Sequence, residues 1–348
     1  MTRQPDKQKQ LKQLDEQLVE LLARRFRLTD GSPELGQRPE SVEAWLRQIA
    51  ADGGLDEVPK NVLKTMFREV NSAVAARQAV RKIAFLGPPA TFTHQAALEY
   101  FGSAVDFQSQ ATIADVFDAV VRRRCHFGVV PVENSTEGAV THTLDMFVDT
   151  ELKIVAEVNM PIHHCLLCRG ARDQLQTVYS HPQVLGQCRL WLQRHLPKVH
   201  LVEVSSTTEA AARCSREARA GALAGKLAAR QYNLPIVEKN IEDFSGNTTR
   251  FLVLGEQSPP PCGQDKTSLL LVVRDRVGAL YDALLPFGRH QVNLTFIESR
   301  PSKRRNWEYY FFIDLSGHAE DRAVAETLRD LREDCEFVKI LGSYPRAT

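Results

Sequence analysis

The sequence of 348 residues predicts a multidomain fold with an all-helical segment, a two-lobed α/β segment and a smaller βαββαβ segment. Three observations predict it. Leucines recur at helical spacing near the N-terminus, strand and helix patterns then alternate to about residue 255, and the proline-rich stretch Ser258–Gln264 precedes the last part. The predicted domains are residues 1–81, 82–257 and 266–348.

Composition excludes several classes of protein. Lysine plus arginine number 44 and aspartate plus glutamate 43, so the net charge of +1 argues against a nucleic-acid partner. The longest apolar runs, such as Ser268–Val273, are too short to cross a bilayer, and the polar first ten residues do not form a secretory signal. Seven scattered cysteines fit reduced thiols, so we expect a cytoplasmic protein without a membrane partner.

The first 81 residues are predicted to form three helices. The first carries an apolar seam at helical spacing, formed by Leu11, Leu14, Leu18, Leu21 and Leu28. The second runs from Pro39 to Ala50 and the third from Pro59 to Arg81. Three helices of this length enclose little core alone, so we expect pairing with a second copy of the chain.

Strands and helices alternate in the middle segment, which is typical of a parallel α/β architecture. The predicted pairs are Lys82–Leu86 with Thr93–Phe101, Gly128–Val132 with Ser135–Val148, and Val178–Ser180 with Pro182–His195. A long stretch that looks antiparallel, Leu152–Cys168, interrupts them. It predicts two α/β lobes with a cleft between them.

The tail has a βαββαβ order, which predicts a ferredoxin-like fold. Its predicted elements, in chain order, are strand Ser268–Val273, helix Gly278–His290, strand Asn293–Ser299, strand Trp307–Leu315, helix Glu320–Glu333 and strand Phe337–Gly342.

Five segments at the predicted strand ends are rich in neutral hydrogen-bonding groups. They are Gly87–Ala97, Gly128–Val140, Ser180–Cys188, Ser205–Ala211 and Gly246–Gly255. Asn134 followed by Glu137 has the form of a capping box, and a helix beginning there would offer either an anion site or a plain cap. Ligands of open α/β sheets bind at strand ends, so these segments predict a binding site.

These segments also carry a resemblance. The order GPPATF, PVENS, SHPQ with QC, SSTTEAA and NTTRF resembles the prephenate dehydratase family from about Lys82 to Gly255. Gly278-Ala279-Leu280 and Glu298–Pro301 resemble the phenylalanine-binding ACT domain that follows the catalytic domain in this family. The N-terminal helices resemble the chorismate mutase domain fused in front in some members. The resemblance implies a catalytic domain like the periplasmic binding proteins.

The resemblance implies that prephenate loses CO2 and its ring hydroxyl to give phenylpyruvate, without a metal or cofactor. It implies Thr249 as the catalytic residue, a donor to the leaving oxygen. The implied substrate-binding residues are Asn134, Ser135, Ser180, Gln187, Thr207, Arg250 and Thr91. Arg250 could bind a substrate carboxylate or pin its own strand to Glu133. The family usually has glycine at Ala90, so a positive φ there would cost about 1 kcal/mol.

The resemblance fits the first segment only in part. Arg25 and Gln78 match a mutase site, but Gln8 stands where an arginine is expected. No lysine occurs between Lys12 and Lys60, so the lysine of the first helix connection is missing. We expect this segment to be structural or dimerising and to lack mutase activity.

The resemblance implies that L-phenylalanine binds between paired tails and inhibits the enzyme, within a homo-oligomer that is a dimer or a tetramer. The implied effector residues are Gly278, Ala279, Leu280, Glu298, Ser299, Arg300 and Pro301. Three other functions stay open: an arogenate dehydratase, a bifunctional chorismate mutase/prephenate dehydratase, and a non-catalytic small-molecule-binding regulator. The last stays open because small-molecule receptors have the same two-lobed layout.

Overall fold

The computed structural model describes residues 4–29, 58–78, 80–302 and 308–347. The internal contacts of the chain divide it into two units. The first unit is Met1–Arg81 with Phe101–Asp106, and the second is Lys82–Tyr100 with Phe107–Thr348.

Two long helices make up most of the described part of the first unit, namely α1 (Gln4–Thr29) and α2 (Lys60–Gln78). They confirm the first and third predicted helices, although α2 ends three residues early. The predicted helix Pro39–Ala50 lies outside the described residues. The five leucines of the α1 seam are 44–66% exposed, so the residues that the structure describes leave this apolar face uncovered.

A mixed sheet forms the first lobe of the second unit, with strand order β2-β1-β3-β11-β5 and the short β4 paired to β3. Its strands are β1 (Lys82–Leu86), β2 (Asp106–Gln110), β3 (Phe127–Asn134), β4 (Gly138–Ala139), β5 (Lys153–Pro161) and β11 (Thr248–Gly255). Its helices are α3 (Phe92–Phe101), α4 (Ile113–Val121) and α5 (Thr141–Met146). β1 is parallel to β3, whereas β11 returns from late in the chain and runs antiparallel between β3 and β5.

A second sheet forms the second lobe, with strand order β10-β6-β9-β7-β8. Its strands are β6 (Cys165–Cys168), β7 (Thr177–Ser180), β8 (His200–Glu203), β9 (Ala220–Ala224) and β10 (Ile236–Glu238). Its helices are α6 (Pro182–Gln187), α7 (Arg189–His195), α8 (Thr207–Cys214) and α9 (Lys226–Gln231), with a 3-10 turn at Arg172–Gln174. The two predicted lobes are therefore present. The segment Cys165–Cys168 is a buried strand, and both of its cysteines are free thiols.

The tail has the predicted βαββαβ order, and its antiparallel strands lie in the order β13-β14-β12-β15. Its elements are β12 (Asp265–Val273), α10 (Ala279–Arg289), β13 (Leu294–Pro301), β14 (Tyr309–Ser316), α11 (Arg322–Asp334) and β15 (Cys335–Pro345). One face of the sheet packs on α10 and α11 through residues such as Leu269 and Leu271. The other face packs on the first lobe, where Leu270 and Phe312 join the core around Leu252.

Glycine allows the tail sheet to approach the first lobe closely. A Cβ on Gly342 of β15 would lie 2.1 Å from the carbonyl oxygen of Ile154 in β5. Because that oxygen belongs to the backbone of β5, which is hydrogen-bonded to β11, it cannot move aside cheaply. The docking of the tail on the first lobe therefore depends on Gly342.

Two sequence predictions of helices were wrong in detail. The predicted helix Ser135–Val148 is instead a turn, the short β4 and the short helix α5. Gly138 adopts a φ of 84° and pairs with Asn134, so the chain folds back as a hairpin after β3. The predicted helix Pro182–His195 is two helices separated at Cys188.

Candidate active site

The site begins where β3 and β11 end side by side. Thr249 lies opposite Asn134 in the antiparallel register of these strands. Side chains of directly opposite residues share one face of a sheet, so the two polar groups meet. The Asn134 Nδ2 lies 2.8 Å from the Thr249 Oγ1 and 2.8 Å from the Oδ1 of Asn247.

Backbone amides fix which way the Asn134 carboxamide points. Its Oδ1 accepts hydrogen bonds from the backbone N–H of Thr136 at 3.0 Å and of Glu137 at 3.1 Å. A backbone N–H can only donate, so the amide nitrogen of Asn134 must face Thr249. Thr249 therefore accepts this hydrogen bond, and its hydroxyl donates to no acceptor among the described residues. Its hydrogen is free for a ligand.

The orientation of the Asn134 carboxamide also fixes the orientation of the next carboxamides, which lead to the second lobe. Because the Asn247 Oδ1 accepts from Asn134, its Nδ2 faces the Oε1 of Gln187 at 3.4 Å. Gln187 ends α6, and its own Nε2 lies 3.5 Å from Glu137 Oε1. The Nε2 of His164 lies 2.9 Å from the same Gln187 oxygen. A continuous chain of hydrogen bonds thus joins the two lobes, and we call Thr249, Asn134, Asn247 and Gln187 the amide chain.

Three of the predicted substrate residues hold the backbone near the site. Ser135 Oγ accepts from Thr248 N at 2.9 Å, which extends the pairing of β3 and β11. Thr91 Oγ1 donates to Leu86 O at 3.2 Å and accepts from His94 N at the start of α3. The fully buried Ser180 donates to Leu223 O at 2.9 Å, and no contact among the described residues joins it to the amide chain. Thr207 begins α8.

Ala90 has a φ of 67°, the left-handed conformation in which glycine is expected. Its methyl group is buried and packs with the core of the second lobe, so this contact offsets part of the backbone strain.

Arg250 points away from the amide chain, so the prediction that it binds substrate is corrected. Successive residues of a strand face opposite sides of the sheet, and Thr249 occupies the side with Asn134. The Arg250 guanidinium contacts Glu157 of β5 at 2.7 Å, Asp314 of β14 at 2.6 Å and the Tyr344 hydroxyl at 2.9 Å. The alternative partner, Glu133, lies at 3.7 Å and is the most distant of these groups.

This buried charge cluster joins the sheet of the first lobe to the tail. Glu157, whose side chain is fully buried, also contacts Lys266 of β12 at 2.7 Å. Burial opposes the charge of Glu157, but the cations Arg250 and Lys266 outweigh it and lower its pKa. The strand that carries Thr249 is therefore tied to the tail through a carboxylate that stays ionised.

In the first unit, Arg25 donates to Asn71 of α2 through one terminal nitrogen, and its other terminal nitrogen is buried without a partner among the described residues. Burial lowers the pKa of Arg25. Gln78 is the last residue of α2, and its side chain is outside the described part of the structure. The described contacts thus give Arg25 a structural partner.

The predicted effector residues lie at two places in the tail. Gly278 has a φ of 79° and directly precedes α10, which begins with Ala279 and Leu280. On the edge strand β13, Glu298 lies opposite Phe312 and Arg300 lies opposite Tyr310. These residues are on the side of the tail sheet that faces the first lobe. Ser299 and Pro301 face the other side by strand alternation. Arg300 Nε lies 3.5 Å from Asp145 of α5.

Sequence reasoning missed two residues of this site. Asn247 stands within the quoted NTTRF segment and could have been found from its place just before β11. His164 gave no usable signal, because its contact with Gln187 forms only when two segments 23 residues apart fold together. Among the described residues, no cluster of three or more potential metal ligands occurs and no helix is long and apolar enough to span a membrane.

Comparison with known proteins identifies the class. Residues 83–259 match the family model of prephenate dehydratase, and residues 267–333 match that of the ACT domain. The chain therefore belongs to the prephenate dehydratase family. It is 43% identical to a bifunctional chorismate mutase/prephenate dehydratase of Aquifex aeolicus (strain VF5), over 97% of this chain and 97% of that protein.

Two solved structures resemble about three quarters of this chain. A prephenate dehydratase from Arthrobacter aurescens in complex with L-Phe is 33% identical with a TM-score of 0.71, and the match covers 76% of this chain and 90% of that one. A structure described as a novel type of quorum quenching acylase is 29% identical with a TM-score of 0.71, covering 77% of this chain and 98% of that one. The shared fold therefore accommodates different named activities, and the residues of the site must distinguish them.

Proposed function

We propose that this chain converts prephenate to phenylpyruvate by loss of CO2 and of the ring hydroxyl as water. The observation that carries the proposal is the contact of Asn134 with Thr249, which leaves the threonine hydroxyl hydrogen free for a departing oxygen. Aromatisation of the ring supplies a large driving force, so the protein needs mainly to position the substrate and stabilise the leaving group. No step of this scheme uses a metal or a redox cofactor.

The proposal gives the site residues different roles. Thr249 donates to the leaving hydroxyl, and the amide nitrogen of Gln187 donates to a substrate carboxylate, since carboxylates are bound through N–H and O–H donors. Asn134 and Ser135 hold Thr249 and its strand in place through their own hydrogen bonds. Ser180 and Thr91 fix backbone near the site, through Leu223 and Leu86. Thr207 is proposed as a further ligand from the start of α8. Arg250 secures β11 from behind the sheet.

The domain limits predicted above, 1–81, 82–257 and 266–348, are kept as part of the proposal, and the spans of the two family models support them. We propose that the two lobes form a catalytic domain like the periplasmic binding proteins and that the tail is a ferredoxin-like regulatory domain. We further propose a cytoplasmic location, which the seven free cysteines support.

The direct test is an assay of purified protein with prephenate, in which the alkaline absorbance of phenylpyruvate is followed and arogenate is supplied in parallel. Formation of phenylpyruvate at enzymatic rates supports the proposal. Turnover of arogenate in preference to prephenate would make the protein an arogenate dehydratase. Binding of either compound without turnover would make it the non-catalytic regulator.

We propose that L-phenylalanine is the inhibitor, because an L-Phe complex is known for the similar Arthrobacter aurescens enzyme. An effector shifts a population only if it binds one state more tightly, so phenylalanine must favour a non-productive state. We expect L-phenylalanine to lower the rate with prephenate and to give a binding isotherm by calorimetry. Unchanged activity together with no heat of binding would reject this regulation.

We expect purified protein to give no meaningful conversion of chorismate to prephenate. Gln8 and the absence of lysine between Lys12 and Lys60 leave the first unit without cations that a dianionic substrate needs. The full-length similarity to a protein named as bifunctional sets the opposite expectation, so the assay decides between them. Robust mutase turnover would establish a bifunctional enzyme.

We propose that two copies pair through the exposed leucine seam of α1, to give a dimer or a tetramer. Apolar surface of this extent on a long helix is a common sign of a helix–helix interface. Light scattering behind gel filtration measures the oligomer directly.

A further inference from the structure

A buried histidine lies behind the amide chain. His164 is 1% exposed and follows β5 in the connection to the second lobe. Its Nε2 lies 2.9 Å from the Oε1 of Gln187, which is shorter than the 3.4 Å contact of Asn247 with that oxygen. The closer and better restraint on the Gln187 carboxamide is therefore His164.

The direction of the amide chain fixes the tautomer of His164. The Gln187 oxygen, not its nitrogen, faces Asn247, because Asn247 presents a nitrogen there. The ring nitrogen that contacts the same oxygen must then carry a hydrogen, so the hydrogen of a neutral ring lies on Nε2. The other nitrogen, Nδ1, is buried and has no partner among the described residues. A bare lone pair there is less costly than an unsatisfied N–H donor.

The surroundings hold this ring in one place. The backbone N–H of His164 donates to Glu242 Oε2 at 3.0 Å, and its carbonyl accepts from Ile241 N at 3.0 Å. The ring meets Phe92 edge-on, with centroids 5.6 Å apart. Burial lowers the pKa of His164, although the hydrogen bond to Gln187 and the charge of Glu242 partly oppose this shift. The ring is accordingly neutral near pH 7.

We infer that His164 is a positioning residue of the dehydratase site, which holds the Gln187 carboxamide with its oxygen inward and its two N–H donors toward the anionic substrate. This inference rests on the proposed function and extends it to a residue behind the site. Without the His164 donor, only the long contacts with Asn247 at 3.4 Å and with Glu137 at 3.5 Å restrain the carboxamide among the described residues. A flipped carboxamide would present its oxygen to a carboxylate, which repels it.

The test compares His164→Leu, which removes the donor, with His164→Gln, whose amide can reach as far as Nε2. We expect His164→Leu to raise KM for prephenate about tenfold, the size of one lost hydrogen bond, with a smaller change in kcat. We expect His164→Gln to stay within about threefold of the unmodified protein. Thermal unfolding confirms that each variant is folded. Equal loss in both variants would overturn the inference.

A double-substitution cycle separates positioning from a general structural role. If His164 acts through Gln187, then His164→Leu should cause no further loss in a Gln187→Ala background. Losses that simply add would show that His164 acts independently of Gln187, and they would overturn the inference.

A readout that needs no turnover completes the test. NMR of the full chain labelled with 15N-histidine reports the ring tautomer, and we expect the hydrogen of His164 on Nε2. A hydrogen on Nδ1 would overturn the inference even in an active enzyme. Failure of the unmodified protein to consume prephenate would instead reject the proposed function, while the tautomer still tests how Gln187 is held.

Discussion

Replacing Thr249 by valine is expected to lower kcat with prephenate by about 10²–10³-fold, the usual effect of removing one preorganised donor to a leaving or developing oxyanion. Valine keeps the shape of the side chain and a strong preference for β-strands, so β11 should keep its register. Steady-state rates at saturating prephenate measure the change.

Thr249→Ser is the matched control, because it keeps the hydroxyl that accepts from Asn134 and donates to the substrate. We expect it to retain most of the activity. A valine variant as fast as the serine variant would show that the hydroxyl plays no part in the reaction. Calorimetric unfolding of both variants checks that neither loss comes from unfolding.

Replacing Arg250 by leucine is expected to reduce the free energy of unfolding by about 3–5 kcal/mol, because it removes the cation beside buried Asp314 and leaves Glu157 with Lys266 alone. Denaturant unfolding of the variant and of the unmodified protein measures this difference in the free energy of unfolding. The matched control is Arg123→Leu, which breaks an exposed pair with Glu256 at 2.8 Å, nearly the same distance. Because Arg123 is 80% exposed, we expect its loss to cost less than about 1 kcal/mol. Equal effects of the two substitutions would contradict the burial argument.

The pH dependence of the Arg250 variant follows from the same cluster. The pKa of Glu157 is lowered in the folded protein, so the unfolded chain binds more protons, and the stability from Glu157 is lost as the pH falls through its folded pKa. Removing Arg250 removes the cation that contributes most to this shift. We therefore expect the variant to lose less stability than the unmodified protein when both are acidified below pH 4.5.

The sequence predicts most of the secondary structure because its signals are local. A short apolar run followed at once by Gly87-Pro88-Pro89 locates β1, and helical spacing locates α1 and α2. The turn after Asn134 was misjudged because its carboxamide can cap a helix or a turn equally well, and the positive φ of Gly138 decides for the turn. The same turn is joined to β11, more than 100 residues later, by the hydrogen bonds between Ser135 and Thr248.

The structure brings together three of the side chains that the sequence proposes for one site. Thr249, Asn134 and Gln187 share a continuous chain of hydrogen bonds, as a common site requires. Arg250 was misplaced because strand alternation puts it opposite Thr249, and its acidic partners come from the docked tail. Such docking is a tertiary event that no local pattern encodes.

The proposed role of Thr249 depends on the direction of one hydrogen bond, from the Asn134 nitrogen to the Thr249 hydroxyl. The measurement that tests it most directly is kcat at saturating prephenate for Asn134→Asp, beside its unfolding free energy. The carboxylate keeps the bonds from the amides of Thr136 and Glu137 but accepts the Thr249 hydrogen instead of donating to its oxygen. We predict a folded protein whose kcat falls at least about 100-fold, the scale of a lost leaving-group donor. A folded variant with undiminished kcat would contradict the account.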